Sequence, residues 1–270
     1  MNIGSLNTPF IYRGEELVYP DPVKDGLVLW YDFSGMTNDD ESKGIAKDLS
    51  GNGNHGTLQN FNFTPESGYD KNKLLFDGVD DYVQATQNTY ENFTVEMVLR
   101  LKPFQKVGSI FGSRRSTFID AEESGIELRN DSNSLLRFYI ADGTTMSTNG
   151  VAAGIDMTEK MFHLLFAKGA DGGFITINGR EVSQFSAQDI GTITDSRPLS
   201  LGTRGSSGTY GQNVEFSSFK FYKKTLTPEE IAHNYAIEKE RFIDRIYPVI
   251  TNLPVGQGKI SETLKVGGDR

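Results

Sequence analysis

The chain has 270 residues, of which 37% are hydrophobic and 23% are charged, and its formal net charge is −9. Such a charge repels phosphate backbones and argues against general nucleic-acid binding. The absence of cysteine excludes disulfides and thiol nucleophiles and suits assembly in a reducing cytoplasm. Since no leader-like segment and no apolar run near ~20 residues occurs, we expect neither a signal peptide nor a transmembrane segment.

Three regions are expected from the distribution of prolines and of periodic apolar residues. Residues 1–22 form an N-terminal arm interrupted by Pro9, Pro20 and Pro22, residues 23–242 form one globular domain, and residues 243–270 form a C-terminal tail. Both extensions carry more apolar side chains than free tails usually expose, which indicates anchoring to a larger assembly. These side chains are Ile3, Leu6, Phe10, Ile11, Tyr12, Leu17 and Val18 in the arm, and Ile246, Tyr247, Val249, Ile250 and Leu253 in the tail.

Alternating apolar residues predict strands along most of the domain. In the clearest strand, over residues 93–101, the odd-numbered side chains face a core and the even-numbered ones, such as Glu96, lie nearer solvent. The polar stretch 39–62 is predicted to be mainly loop. The other predicted strands cover residues 27–33, 74–76, 82–85, 108–112, 125–130, 135–140, 161–168, 174–178, 180–183, 199–202 and 214–222.

Two local signals predict a hairpin turn and a helix. Asn178-Gly179 suits a type I′ turn, because both central residues of that turn need a positive φ. Thr227-Pro228-Glu229-Glu230 supplies an N-cap, a proline at the first helical position and a glutamate three residues after the cap. The apolar stripe of this helix would consist of Ile231, Tyr235 and Phe242.

Several segments together resemble the laminin-G-like, concanavalin A-like jelly-roll family. The resemblance covers roughly residues 23–242 and implies an all-β fold, a two-sheet antiparallel jelly-roll sandwich, with the short C-terminal helix packed on its edge. Members of the family are mostly binding modules for glycans or proteins. The segments that carry it are residues 26–33, 48–56, 75–83, 93–97, 201–202, 216–221 and 226–231.

Jelly rolls of this kind that have short arms and lack a signal sequence are similar to components of tailed-phage virions. The resemblance implies a non-catalytic structural or decoration protein of the particle, made in the host cytoplasm, that displays a binding jelly roll for host-surface glycans. Its partners would be other virion proteins, contacted through the arms, with no nucleic acid and no membrane. A cellular carbohydrate-binding module and a degenerate glycoside hydrolase are the alternatives, and homo-oligomerisation stays open.

Catalysis is not expected from the residues. Glycoside hydrolysis needs two carboxylates ~5–5.5 Å or ~6.5–9.5 Å apart, and the Glu-x-Asp-x-x-Glu string of hydrolytic relatives is absent. Glu96 and Glu215 are isolated acids and are expected to be solvated. No Gly-x-Ser-x-Gly string accompanies the three histidines His55, His163 and His233.

Loops and strand ends supply the candidate binding residues, because binding side chains usually lie there. Glycan contacts are expected from Arg114, Asn130, Arg204 and Tyr210, whereas Trp30, the one tryptophan, is expected to pack against the core or the helix. No cofactor is required, and a structural calcium ion is the metal that the loop oxygens suit. The same Asp and Asn side chains also cap tight turns, and we take this as the first interpretation. The candidate calcium ligands are Asp48, Asn52, Asn54, Asp80 and Asp81.

Overall fold

The structure, a computed structural model, describes residues 11–13, 16–19, 21–103, 106–114, 123–132, 135–152, 157–158, 160–187, 189–204 and 210–243. These residues form two eight-stranded antiparallel sheets, here sheet I and sheet II, two small two-stranded sheets and one α-helix. The helix α1 is Pro228–Glu238 and continues into a π-helical turn, Lys239–Ile243. The strands are β1 Ile11–Arg13, β2 Glu16–Tyr19, β3 Leu27–Asp32, β4 Ile45–Ala46, β5 Gly56–Gln59, β6 Gly68–Asp70, β7 Lys73–Asp77, β8 Tyr82–Gln84, β9 Thr89–Tyr90, β10 Phe93–Leu101, β11 Gly108–Gly112, β12 Ser124–Ser132, β13 Leu135–Asp142, β14 Met146–Ala152, β15 Phe162–Gly169, β16 Gly172–Ile177, β17 Arg180–Phe185, β18 Ile193–Thr194, β19 Ser200–Leu201 and β20 Asn213–Tyr222.

The strand order confirms the predicted two-sheet jelly-roll sandwich. Sheet I runs β17-β16-β15-β10-β20-β7-β6, with β3 also paired to β20, and sheet II runs β14-β13-β12-β11-β19-β8-β5-β4. The clearest predicted strand, β10, has the bounds expected from its alternation and lies at the centre of sheet I between β15 and β20. Sequence-distant strands therefore meet at the middle of the sheet.

The hydrophobic core lies between the two sheets. Alternation in β10 buries Val95, Met97 and Leu99 completely. Across the sandwich, the Phe138 ring of sheet II stacks on the Phe166 ring of sheet I with the centroids 4.5 Å apart. Such aromatic pairs contribute ~0.5–1.5 kcal/mol beyond their area burial, so these contacts help to set how the sheets face each other.

The helix begins where the sequence predicts. The Thr227 hydroxyl accepts a hydrogen bond from the Glu230 N–H, and the Glu230 carboxylate accepts one from the Thr227 N–H. The helix packs on the outer face of sheet I and not on the edge expected from the sequence, and Ile231 joins a buried cluster that includes Trp30 and Leu165. The prediction that Trp30 packs against core or helix is confirmed.

The predicted apolar stripe of the helix is only partly right. Tyr235 is half-buried, whereas the polar Asn234 and Glu238 are fully buried. Both face charged side chains of sheet I, and apolar periodicity cannot detect such contacts. The buried residues of the helix and its π-helical turn are Ile231, Asn234, Ile237, Glu238, Arg241 and Phe242.

The hairpin prediction between β16 and β17 is confirmed. Asn178 and Gly179 have φ angles of 51° and 74°, as a type I′ turn requires. A Cβ atom on Gly179 would lie 2.5 Å from the Tyr235 ring, so this position also allows the helix to approach the turn.

The predicted loop over residues 39–62 is wrong in part. It contains β4 and β5, which pair with each other and extend sheet II beside β8. Both strands are too short for a clear alternation, with two and four residues, and their place in the sheet depends on β8. Most of the N-terminal arm and the tail after Ile243 lie outside the described residues, so their roles stay predictions. No helix within the described ranges is long and apolar enough to span a membrane.

Candidate functional site

The outer face of sheet II carries a group of planar polar and aromatic side chains, here called the arginine–tyrosine face. Its members from β12 and β13 are aligned by strand pairing, since Arg129 lies opposite Arg137 and Glu127 lies opposite Tyr139. Side chains at directly opposite positions share a face of the sheet. The face comprises Arg129, Arg137, Tyr139, Arg204 and Tyr210.

One carboxylate holds two of these guanidinium groups. Asp131 accepts a hydrogen bond from Arg129 Nε at 2.6 Å and another from Arg137 Nε. The Arg129 guanidinium also lies 4.7 Å from the centre of the Tyr139 ring. Burial raises the pKa of Tyr139, while the charge on Arg129 acts in the opposite direction. Arg137 remains 40% exposed, so its free edge faces solvent.

The second half of the face is a stacked pair. The Arg204 guanidinium lies 3.8 Å from the centre of the Tyr210 ring and 3.8 Å from a Glu127 carboxylate oxygen, which also accepts a hydrogen bond from Ser109 Oγ. Arg204 is almost fully buried, but Tyr210 is 38% exposed. The buried arginine therefore orients an aromatic ring that solvent can reach.

The other two predicted ligand-binding residues, Arg114 and Asn130, lie in different environments. Arg114 follows β11, is buried, and places its guanidinium 6.0 Å from the Tyr139 ring. Asn130 lies within β12, where the alternation with Arg129 turns its side chain to the opposite side of the sheet. Its buried amide has no hydrogen-bond partner in the described part of the chain. Roles for both residues in binding stay predictions.

Sequence reasoning missed Arg129, Arg137 and Tyr139. The available signal was the alternation of Glu127, Arg129 and Asp131 along one strand, which marks a polar sheet face. The sequence alone could not pair this strand with β13.

The Asp48 loop is held together by its own hydrogen bonds. Asp48 Oδ1 accepts from the backbone N–H groups of Trp30 and Ser50, and Oδ2 accepts from Ser50 Oγ and the Asn54 N–H. The amides of Asn52 and Asn54 donate to the carbonyls of residues 27 and 28. These contacts give all three predicted calcium ligands of this loop a structural role.

A second predicted calcium region brings three carboxylates together at the β7–β8 turn. One oxygen each of Asp77, Asp80 and Asp81 lies within 4.8 Å of the others. Asp81 Oδ2 accepts a hydrogen bond from the Asp77 N–H, while Asp81 Oδ1 is buried without a hydrogen bond. Burial, reinforced by the two neighbouring carboxylates, raises the pKa of Asp81 to about 6. The donor set consists of hard oxygens and fits a calcium ion, which stays a prediction.

The expectation that Glu96 and Glu215 are solvated is wrong. Glu96 is fully buried beneath the helix, with Lys220 Nζ and His163 Nε2 each 3.1 Å from Oε1. Glu215 is 1% exposed and is surrounded by cationic side chains. Burial acts to raise the pKa of each acid, but the neighbouring positive charges outweigh it and lower both pKa values to about 2. Helix α1 covers Glu96, and cationic side chains from neighbouring strand positions surround Glu215. Alternation within one strand reveals neither arrangement.

A wide groove opens at one end of the sandwich. Its volume is about 900 Å³, and its walls come from the β15–β16 turn, the end of β17 and residues 223–225. The floor includes Gly172 and Gly173 beside Phe174. Asn92 also lines the groove, and its Oδ1 atom is buried without a hydrogen bond. The volume of the groove is within the range of small-molecule binding sites.

The chain is similar to a known family and to several solved structures. The family model described as concanavalin A-like lectin/glucanases superfamily matches residues 77–232, and no curated protein matches the chain. The receptor-binding domain of botulinum neurotoxin C/D mosaic serotype is similar, with a TM-score of 0.61 and 15% identity over 80% of this chain and 52% of that chain. The botulinum neurotoxin serotype D ligand-binding domain in complex with N-acetylneuraminic acid has a TM-score of 0.59 and 14% identity over 80% and 52%.

A third similar structure is Trypanosoma rangeli sialidase in complex with sialic acid. It has a TM-score of 0.55 and 16% identity, over 78% of this chain and 32% of that chain. The chain thus spans about half the length of the neurotoxin domains and a third of the sialidase. At these identities the likeness to solved structures shows the fold alone.

Proposed function

Because the chain belongs to the concanavalin A-like lectin/glucanase superfamily, we propose that it is a non-catalytic, lectin-like module that binds glycans with its arginine–tyrosine face. The observation that carries the proposal is the exposed Tyr210 ring stacked on the buried Arg204, on the same face of sheet II as the half-exposed Arg137. The ligand-binding domain of botulinum neurotoxin serotype D and Trypanosoma rangeli sialidase, parts of which are similar to this chain, are complexes with N-acetylneuraminic acid and sialic acid, respectively.

The aromatic and guanidinium groups of this face suit the apolar and polar surfaces of a sugar. An aromatic ring has an apolar body with a polar tip and gives a flat surface for the C–H side of a sugar ring. Guanidinium groups present several N–H donors in a fixed plane, which suits hydroxyl and carboxylate oxygens. Because Asp131 already orients Arg129 and Arg137, little side-chain freedom is lost when a ligand binds.

Burial of the strand acids supports a role without catalysis. The negative charges of Glu96 and Glu215 are compensated by neighbouring cations, and neither side chain is exposed to a substrate. Asp81, with a raised pKa, is 1% exposed and so is also withdrawn from a sugar on the surface. A reducing-sugar assay on β-glucans tests the alternative of a degenerate glycoside hydrolase, and sustained product release would contradict the proposal.

A glycan array with the full chain tests the binding function. We expect specific hits that Tyr210→Ala and Arg137→Ala weaken by about tenfold or more, which corresponds to ~1.4 kcal/mol. Arg180→Ala is the matched control, since Arg180 is exposed on the edge strand of the other sheet. Hits that survive both face variants would move the site elsewhere, for example to the groove at the end of the sandwich. An array without specific hits would contradict glycan binding.

We also propose that the module is displayed on a tailed-phage particle, with its arms bound to other virion proteins. The support for this role is the apolar content of both extensions. A cellular carbohydrate-binding module is the alternative, and it predicts glycan binding without association of the chain with particles.

A further inference from the structure

A pocket on the outer side of sheet I has four cationic side chains in its walls. It has a volume of about 250 Å³ and is partly enclosed, between the β6–β7 turn, β10 and the π-helical turn after α1. Its walls include Lys71, Lys73, Arg100 and Arg241, and one carboxylate, Asp70. It is separate from the arginine–tyrosine face, which lies on sheet II.

Positive charge exceeds negative charge around this pocket. Glu215 alone is contacted by three cations, with Lys73 Nζ at 2.9 Å, Arg100 Nη2 at 2.6 Å and Lys102 Nζ at 2.5 Å. Asp70 lies 3.5 Å from Lys73 Nζ and offsets one of them. The pKa of Glu215 falls to about 2 in spite of its burial, as expected where several cations surround one carboxylate.

Two further cationic side chains of the pocket enter the count of charges. Arg241 is paired with Asp32 and also contacts Ser34 Oγ at 3.3 Å, so it adds no surplus charge. Lys71 is exposed and forms no ion pair with another described residue. The four cations Lys71, Lys73, Arg100 and Lys102 thus face two carboxylates, in a chain whose net charge is −9.

The pocket also contains a hydrogen-bond donor without a partner. Arg100 Nε is buried without a hydrogen-bond partner, and an unsatisfied buried donor destabilises the fold. Lys71 has a φ of 58° at the first central position of the two-residue turn that joins β6 to β7. Glycine is favoured at such turn positions, so a lysine there is kept at a conformational cost.

We propose that this pocket binds one oxyanion group, a sulfate, a phosphate or a carboxylate. A charge of one or two would balance the surplus, and its oxygens would accept hydrogen bonds from Arg100 Nε, Lys71 and Lys73. The volume limits the site to a single acidic group or one small acidic sugar. The group comes either from a free ion or from an acidic glycan, and the site does not depend on glycan binding at sheet II.

Isothermal titration of the full chain at constant ionic strength tests the site, with inorganic sulfate, inorganic phosphate and N-acetylneuraminic acid as probes. We expect one saturable site per chain for at least one inorganic probe. Lys71→Gln should weaken that affinity by about tenfold, which corresponds to ~1.4 kcal/mol. Lys47→Gln, an exposed lysine on the other sheet, should leave it unchanged.

Competition identifies the source of the anion. If N-acetylneuraminic acid displaces the inorganic probe, the acidic group of a sugar fits the site, and if it does not, the site takes a free ion. Arg100→Gln should abolish binding, and its thermal melt reports whether the fold survives. Absence of saturable binding of both inorganic probes, or equal affinity in the wild type and Lys71→Gln, would overturn the proposal. A negative glycan array with a positive sulfate titration would contradict only the glycan function.

Discussion

Asp48 shows how one carboxylate can organise a long polar loop. Its two oxygens accept four hydrogen bonds, from Trp30, Ser50 and Asn54. A hydrogen bond to a charged group contributes ~1.5–3 kcal/mol, and four bonds to one group are not additive. We expect Asp48→Ala to lower the free energy of unfolding by about 3 kcal/mol or more in urea denaturation.

The exposed Asp39 in the same polar region provides the control. Asp39→Ala should change the stability by less than about 0.5 kcal/mol, as is usual for exposed positions. A comparable loss in both variants would mean that the hydrogen bonds of Asp48 are not what stabilises the loop.

Asp81 is the residue at which we predict that protonation and calcium binding are coupled. Its folded pKa of about 6 lies above its ordinary value, so between about pH 4 and pH 6 the folded state binds more protons than the unfolded state. Stability therefore falls as the pH rises through that window. Calcium bound to Asp77, Asp80 and Asp81 would reverse the loss, because it neutralises the crowded carboxylates.

Scanning calorimetry with calcium or with EDTA checks this prediction. We expect calcium to raise the Tm of the wild type at pH 7 and to have little effect on Asp81→Asn. In EDTA, Asp81→Asn should be more stable than the wild type at pH 7, since no buried charge has to form. An unchanged wild-type Tm on addition of calcium would contradict a metal site here.

The contact between the helix and sheet I depends on a buried charged network. Lys220 Nζ contacts Glu96 at 3.1 Å and also Glu238 of α1, and Asn234 Nδ2 donates to Glu96 Oε2 at 2.6 Å. A buried cation between two carboxylates cannot be removed without leaving uncompensated charge. Lys220→Met should therefore lower the free energy of unfolding by ~3–5 kcal/mol.

Lys224→Met is the matched control for that prediction. Lys224 is paired with Asp25 and Glu230, but its side chain is 26% exposed. Its loss should change the free energy of unfolding by less than about 1 kcal/mol, as for other solvent-exposed pairs. Similar losses in the two variants, measured by chemical denaturation, would show that burial of the network adds nothing.

The sequence predicts where the helix begins, but it does not predict all of the residues that the helix buries. The start follows from Thr227, Pro228 and Glu230, since a cap is a contact among neighbouring residues. The buried polar residues Asn234 and Glu238 could not be recognised, because their partners come from strands more than ten residues away.

The N-terminal arm can be tested for anchoring without disturbing the domain. Residues 21–23 belong to the fold, since the Asp21 carbonyl contacts His233 Nε2 and the Val23 N–H donates to Asn234 Oδ1, each at 2.9 Å. Deletion of residues 1–20 should keep the Tm of the domain but abolish its co-sedimentation with particles. Deletion of residues 1–23 should also destabilise the domain, by ~1 kcal/mol or more. Retained co-sedimentation after the first deletion would exclude an N-terminal anchor.

The sequence by itself determined the sandwich and its principal strands. A side-chain period of two commits a strand such as β10 to burying one face, and the turn Asn178-Gly179 and the cap at Thr227 depend only on local geometry. Family motifs spread along the chain added the expectation of a two-sheet jelly roll. The short strands β4 and β5 were not predicted, because their pairing depends on the neighbouring strand β8.

Only the tertiary structure decided what covers each strand and which polar groups meet. Glu96 occupies a position that alternation assigns to solvent, yet a helix more than 130 residues away buries it beside Lys220 and Asn234. The loop position of Tyr210 makes it a candidate, but its stacking on Arg204 is seen only in the tertiary structure. The same holds for the strand pairing that places Arg137 opposite Arg129. The reason is physical: burial and charge compensation depend on distances in space, which sequence separation does not fix.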